Sequence, residues 1–217
     1  MKLILARHGN TFRPEETAYY VGSQHDLPLV AFGRTQAELI GQYLSTLTRP
    51  IVAVYTGPLQ RMQMTARIAL NTLSYPIEIM TDTRLNELDY GLWSGLTSEE
   101  VRTRFGDDNY DRWERQSLWP KECAWGESEA EVSARIAAFA QDLVHCHAKD
   151  DHIVIVASNG CLRYFLKLIP HAFEQQIAKK QLKIGTGHLC QIEYHQDKWQ
   201  LNYWNQAPQN LITSHFS

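Results

Sequence analysis

The chain has 217 residues, 44% hydrophobic and 21% charged, with 21 Lys and Arg against 24 Asp and Glu and a formal charge of −3. That length fits one domain, or one domain carrying a cap, since domains run at roughly 100–200 residues. The slightly acidic balance argues against general affinity for nucleic acid or for an anionic membrane, both of which need a basic surface. Four cysteines, Cys123, Cys146, Cys161 and Cys190, form no C-x-x-C pair. That is too sparse for a disulfide scaffold and lacks zinc-site spacing. No apolar run approaches the roughly 18 residues that cross a bilayer. The apolar start, residues 1–6, stops at Arg7-His8-Gly9 and is too short for a secretory leader. The expectation is a soluble, reduced, cytoplasmic protein, with the oligomeric state left open.

In chain order, residues 2–6 form a short apolar run that ends in polar residues, which reads as a buried strand. Residues 34–47 carry Ala37, Ile40, Leu44 and Leu47 at helical spacing. Residues 51–55 are β-branched and read as a strand. Pro58 then suits the first position of a helix burying Met62, Ala66, Ala69, Leu70 and Leu73. Residues 77–80 read as a third strand. Thr97 and Glu100 fit a capping box ahead of Val101. Residues 106–126, with Trp113, Trp119, Trp125 and Pro120 among mixed charges, read as an irregular insertion whose tryptophans pack the insertion itself. Residues 127–147 form a long helix with Val132, Ile136, Phe139, Ala140 and Leu143 on one face. Residues 152–157 make an apolar strand, 159–168 a helix, and 182–194 with 198–204 an antiparallel pair. A polar tail, 206–217, is expected to fray.

Strands alternating with helices imply a sheet covered on both faces, with ligands at the carboxyl ends of the strands. Three polar loops fall there: Arg7-His8-Gly9, residues 56–61, and Ser158-Asn159-Gly160. A neutral imidazole at a strand end can attack an electrophile, and the guanidinium of Arg7 beside it can hold a phosphoryl group. Arg61, in the first turn of a helix, adds a second guanidinium. Glu87, in a turn-rich stretch, can protonate a leaving oxygen. None of these residues carries the reading alone; their joint occurrence does.

These residues sit in motifs that resemble the histidine phosphatase superfamily, the phosphoglycerate mutase-like group. Residues 5–11, Leu5-Ala6-Arg7-His8-Gly9-Asn10-Thr11, resemble its L-x-R-H-G-x-[ST] signature. Gly22, Asp26, Pro28, Leu29, Gly33, Gln36 and Ala37 resemble its G-x(3)-D-x-P-L-x(3)-G-x-x-Q-A stretch. Pro58, Leu59, Arg61, Thr65 and Ala66 resemble S-S-P-L-x-R-x-x-Q-T-A, with Gln63 one place early. Leu85, Glu87, Gly91, Trp93 and Gly95 resemble L-x-E-x(3)-G-x-W-x-G, and Gly126-Glu127-Ser128 with Val132 and Arg135 resembles G-E-S-x(3)-V-x-x-R. The resemblance covers residues 3–168.

The resemblance implies a three-layer α/β/α sandwich with a mostly parallel central sheet, one domain over residues 1–217 with an irregular cap at 97–126. It implies His8 as a nucleophile that becomes phosphohistidine, Glu87 as general acid, and Arg7, Arg61, Asn10, Thr11 and Asn159 around the phosphate. It implies no metal, no organic cofactor, and a small phosphorylated metabolite as partner. One position departs from the pattern. Where the superfamily has S-H-G-x-x-R, this chain reads Ser158-Asn159-Gly160-Cys161-Leu162-Arg163. An amide donates a hydrogen bond but carries no charge and does not titrate. His188, ahead of the late strand pair, is a candidate substitute, and His25 lies beside the motif Asp26.

Rival chemistries lack their residues. A cysteine phosphatase needs C-x(5)-R, and Glu129, His152, Lys167 and Gln196 stand six after each Cys. No G-x(4)-G-K-[ST], G-x-S-x-G or H-E-x-x-H occurs. His145, Cys146 and His147, with His152, read as a solvated helix end and not a metal site. Three functions follow: a phosphomonoesterase first, a weakened or inactive phosphate-ester binder second because of Asn159, and a phosphoglycerate mutase-type phosphotransferase third.

Overall fold

The computed structural model describes residues 1–214, without the side chain of Ser214. Six strands form one sheet: β1 (Lys2–Arg7), β2 (Ile51–Thr56), β3 (Ile79–Thr81), β4 (His152–Ala157), β5 (Leu189–His195) and β6 (Lys198–Gln206). Their order is β3-β2-β4-β1-β5-β6. The β3–β2, β2–β4 and β4–β1 pairs are parallel and only β5 runs against its neighbours, so the sheet is mostly parallel.

Strand alternation divides the core into two layers. Leu3 and Leu5 of β1, with Ile153, Ile155 and Ala157 of β4, face one side. There they meet α5 (Glu129–Cys146) through Val132, Ile136, Phe139 and Leu143. Ile4 and Ala6, with Val154 and Val156, face the other side. They meet α1 (Ala31–Ser45) and α2 (Gln60–Leu70) through Ile40, Leu44, Met62 and Ala66. All six residues of β4 are buried, as a central strand covered on both faces requires. The result is a three-layer α/β/α sandwich. No helix among the described residues is long and apolar enough to cross a membrane.

Several segments differ from their sequence expectation. The stretch beginning at 106 is not irregular throughout. After α3 (Ser98–Phe105), residues Asp107–Gln116 form helix α4. This helix buries only Trp113, so no apolar stripe announces it. It is held instead by Arg102, which pairs with Asp107 and with Asp111 (3.0 Å) and lies 3.9 Å from the centre of the Tyr110 ring. The helix after β4 is α6 (Asn159–Leu162), and it tightens into a 3-10 turn over Arg163–Leu168. Residues 182–188 form no strand. They cross the strand ends before β5, fixed by hydrogen bonds with the side chains of Arg7, Gln36 and Asn159. Two short helices have too little pattern to read: α7 (Ala172–Ala178) and α8 (Pro208–Ser214). The tail expected to fray is helical through α8, where Leu211 and Ile212 pack on the core; residues 215–217 lie outside the described residues.

Candidate active site

β1, β2 and β4 end at one edge of the sheet, and β5, being antiparallel, begins there. Arg7 stands beside Ala157, and the His8 N–H donates to the Ala157 carbonyl (3.1 Å). His8 is 6% exposed, and its Nδ1 lies 2.7 Å from the Gly9 carbonyl. A carbonyl only accepts, so Nδ1 carries the proton and Nε2 of the neutral ring keeps its lone pair. Burial, then the charges of Arg7 and Arg61, hold the imidazole well below its usual pKa; the Gly9 bond opposes them weakly. The loop is seated backbone on backbone. A Cβ on Gly9 would come within 2.1 Å of the Gly33 oxygen, and one on Gly33 within 2.1 Å of the Asn10 oxygen.

Arg61 is 2% exposed. Its Nη1 donates to the His25 carbonyl and its Nη2 to the Gly22 carbonyl, both at 2.8 Å. The Gly22–Asp26 motif thus builds a socket for the guanidinium, and His25 takes part through its backbone. Arg7 Nη1 donates to the Ile184 carbonyl (2.5 Å), and Asn159 Oδ1 accepts from the Ile184 N–H (2.9 Å). The oxygen of Asn159 is therefore occupied, and what this residue offers the cleft is its amide donor. Burial lowers the pKa of both arginines, and the charge of Glu87 partly offsets it.

Glu87 is 7% exposed and gripped by backbone donors. Its Oε1 accepts from Leu88 (2.9 Å) and Cys161 (3.1 Å), and its Oε2 from Gly160 (3.3 Å). Gly160 makes room for it, because a Cβ there would lie 2.2 Å from Oε1. The neighbouring Cys161 thiol is pushed up to about 12 by burial, so it stays protonated and is no nucleophile.

Arg7, His8, Asn10, Thr11, Arg61, Glu87 and Asn159 all line one cleft of about 320 Å³. Asn10 is engaged within its own loop, its Nδ2 donating to Phe12 (2.9 Å) and its Oδ1 accepting from Thr11 (3.1 Å). His188 does not line the cleft. Its Nδ1 is held at 2.9 Å by Asn205 Oδ1, so the structure does not bring this sequence candidate to the cleft wall. The lining residues that sequence reasoning did not assign to the site include Tyr20, Tyr90, Trp113, Glu114 and Arg163. For Arg163 a signal existed, four residues after Asn159, the spacing that returns to one helix face. For Trp113 and Glu114 there was none, since α4 had no legible pattern, and Tyr20 and Tyr90 lie in loops that no periodicity marks. Trp113, Trp119 and Trp125 stack edge to face on one another, centroids 4.6–6.0 Å apart, so they chiefly pack against themselves. Among the described residues, no three His, Cys, Asp or Glu side chains gather into a metal-holding cluster.

A sequence profile of the histidine phosphatase superfamily, branch 1, matches residues 3–207. The chain belongs to this superfamily. A histidine phosphatase relative from Brucella ovis, a 2,3-bisphosphoglycerate-dependent phosphoglycerate mutase, is 29% identical over 186 residues, 85% of this chain and 88% of its own. The mycobacterial glucosyl-3-phosphoglycerate phosphatase Rv2419c, solved with VO3, superposes with a TM-score of 0.76 at 25% identity, covering 94% of this chain and 98% of that one. The alpha-ribazole phosphatase from Shigella flexneri has a TM-score of 0.71 at 24% identity, covering 95% and 97%, and shows the shared fold. Superfamily members similar to this chain are thus phosphatases or mutases.

Proposed function

We propose that the protein is a phosphomonoesterase that hydrolyses a small phosphorylated metabolite through a phosphohistidine on His8. The observation that carries this reading is the imidazole itself. It is buried, neutral and proton-locked at Nδ1, and it lies in one cleft with two guanidiniums and a carboxyl group. Arg7 and Arg61 hold the phosphoryl oxygens, with the Asn159 amide and the Thr11 and Asn10 loop beside them. Nε2 attacks phosphorus as the ester P–O bond breaks, and the leaving oxygen takes its proton from the Glu87 carboxyl group. The Glu87 carboxylate then takes a proton from water. The water oxygen attacks phosphorus, the N–P bond breaks, and phosphate leaves with His8 neutral again.

In this reading residues 97–126 form a cap over a single domain, since α3 and α4 supply Ser98, Tyr110, Trp113 and Glu114 to the cleft wall. All four cysteines are free, which suits the reducing cytoplasm. The test is phosphate release from a panel of phosphomonoesters by wild type and His8→Ala. Turnover in the wild type that disappears in the variant is expected; no release from any ester by the wild type overturns the reading.

Asn159 favours a second reading, a phosphate-ester binder with little or no turnover, because a titrating cation is missing beside the nucleophile. Ester binding without release would establish it. The Brucella ovis relative motivates a third, phosphoryl transfer between positions of one substrate. An isomerised product formed faster than free phosphate would establish that one.

A further inference from the structure

A second cavity, of about 250 Å³, lies at the edge of the sheet opposite the cleft, where β1 and β4 begin. Lys2 pairs in register with His152 on one side and with Glu193 on the other, so these three side chains stand in one row on one face. Arg49 and Lys149, from the loops ahead of β2 and β4, complete the wall with Thr48 and Asp150. None of these residues lines the cleft that holds His8. The length of β4, roughly 15–20 Å, separates the two.

The lining holds more cations than partners for them. Arg49 pairs with Asp150 at 3.6 Å, but both side chains are exposed and such a pair is weak. Among the described residues, Lys2 and Lys149 form no ion pair. Glu193 accepts from Asn202 Nδ2 (3.2 Å) and has no cation at ion-pair distance. The Met1 amino group donates to the carbonyls of Lys149 and Tyr194, which ties the loop before β4 to β5. Surface lysines alone mark nothing; the buried donor among them does. His152 is 8% exposed, and its Nδ1 is enclosed without a partner. A buried polar group left unpaired is costly, and the cavity is where this ring can find a partner, through Nε2. Burial keeps the ring neutral, helped by the charges of Lys2 and Arg49 and opposed by Glu193.

We infer that this cavity is a second anion site, which takes one compact phosphate-type dianion through Lys2, Arg49, Lys149 and His152. Size and charge set the class. A space of about 250 Å³ holds a phosphoryl group with few atoms beyond it, and is smaller than the roughly 300–1,000 Å³ of drug-sized sites. Three cationic side chains outweigh two acids, one of them already paired, and a dianion draws twice as strongly on that excess as a monoanion. The inference does not rest on the phosphomonoesterase reading, since it needs no turnover and no residue of the cleft.

Two probes carry the dianion. One is inorganic phosphate. The other is methylphosphonate, in which a P–C bond stands where an ester oxygen would be, so the cleft has nothing to hydrolyse. Each is titrated onto the full chain against chloride at constant ionic strength. The imidazole resonances of His152 and His8 are followed by NMR, assigned from His152→Asn and His8→Gln. The His152 resonance is expected to shift and saturate. Tighter binding of phosphate marks the free ion as occupant, tighter binding of methylphosphonate a monoester, and both support the inference. Lys2→Gln combined with Arg49→Gln should weaken the His152 titration about 10-fold or more, the loss of charge-assisted contacts, and leave the His8 constant within about twofold. No saturable shift of His152, a shift untouched by these substitutions, or equal loss at both histidines overturns the inference. If the double variant unfolds, Lys149→Gln, at an exposed position, should weaken the His152 titration several-fold by itself, and no change there overturns the inference too.

Discussion

His8 is neutral because the fold makes its protonated form expensive, and this has consequences for both activity and stability. The acid limb of kcat/KM should fall below the ordinary imidazole range of about 6.5, as a single titration. A pH–rate profile of the wild type checks it; two groups titrating near 6–7 would contradict it. For stability the sign follows from proton uptake. As pH drops below about 6.5 the unfolded chain binds a proton that folded His8 refuses, so stability falls with pH over that window until the lower folded value is reached. Urea unfolding at about pH 7.5 and 5 should therefore show a larger loss in wild type than in His8→Gln. Gly160→Ala tests the position of the carboxyl group while leaving the residue itself unchanged. The added methyl collides with Glu87, so kcat should drop about 100-fold or more, with about 1–3 kcal/mol of stability lost. Most of these side chains were legible at this scale because each stands at a strand end or in a fixed motif. Glu114 was not, because helix α4 carries no apolar stripe that would have placed it on the cleft wall.

At the scale of elements, two capping boxes make separable predictions. Ser128 accepts from the Glu131 N–H at the start of α5, and the Glu131 side chain returns to Ser128. Ser128→Ala should cost about 1 kcal/mol and leave kcat/KM unaltered, because α5 contributes nothing to the cleft. Thr97 caps α3 in the same way. Thr97→Ala should cost a similar amount, yet raise KM while kcat holds, because α3 and α4 wall the cleft. Denaturant midpoints and steady-state kinetics on both variants check the contrast. The Thr97 box was readable from two residues three apart. Helix α4 was not, since its stability lies in Arg102 reaching forward to Asp107 and Asp111, and polar pairing leaves no apolar period behind.

At the scale of the molecule, the alternation of β-branched runs with amphipathic segments predicts the layered sheet, and the strand order brings the polar loops to one edge. The run from 182 to 188 was mistaken for strand because its buried Leu182 and Ile184 mimic one. Its backbone groups instead bond to Arg7, Asn159, Gln36 and Asn205. Because anion binding requires those converging donors, vanadate should stabilise only the folded chain. At about 100 times its dissociation constant it should add roughly 2.7 kcal/mol, raising Tm by several degrees. His8→Ala should shrink that shift in a thermal melt.

The hydrogen bond from Arg7 to Ile184 joins positions 177 residues apart. During synthesis His8 is made well before the carbonyl that steadies its neighbour Arg7. The site cannot form in step with translation; it closes when residues 182–188 return to the first strand. A nascent chain stopped at residue 181 would own His8, Arg61, Glu87 and Asn159 and still release no phosphate. Phosphate release, if found, would report that synthesis has passed the 182–188 segment.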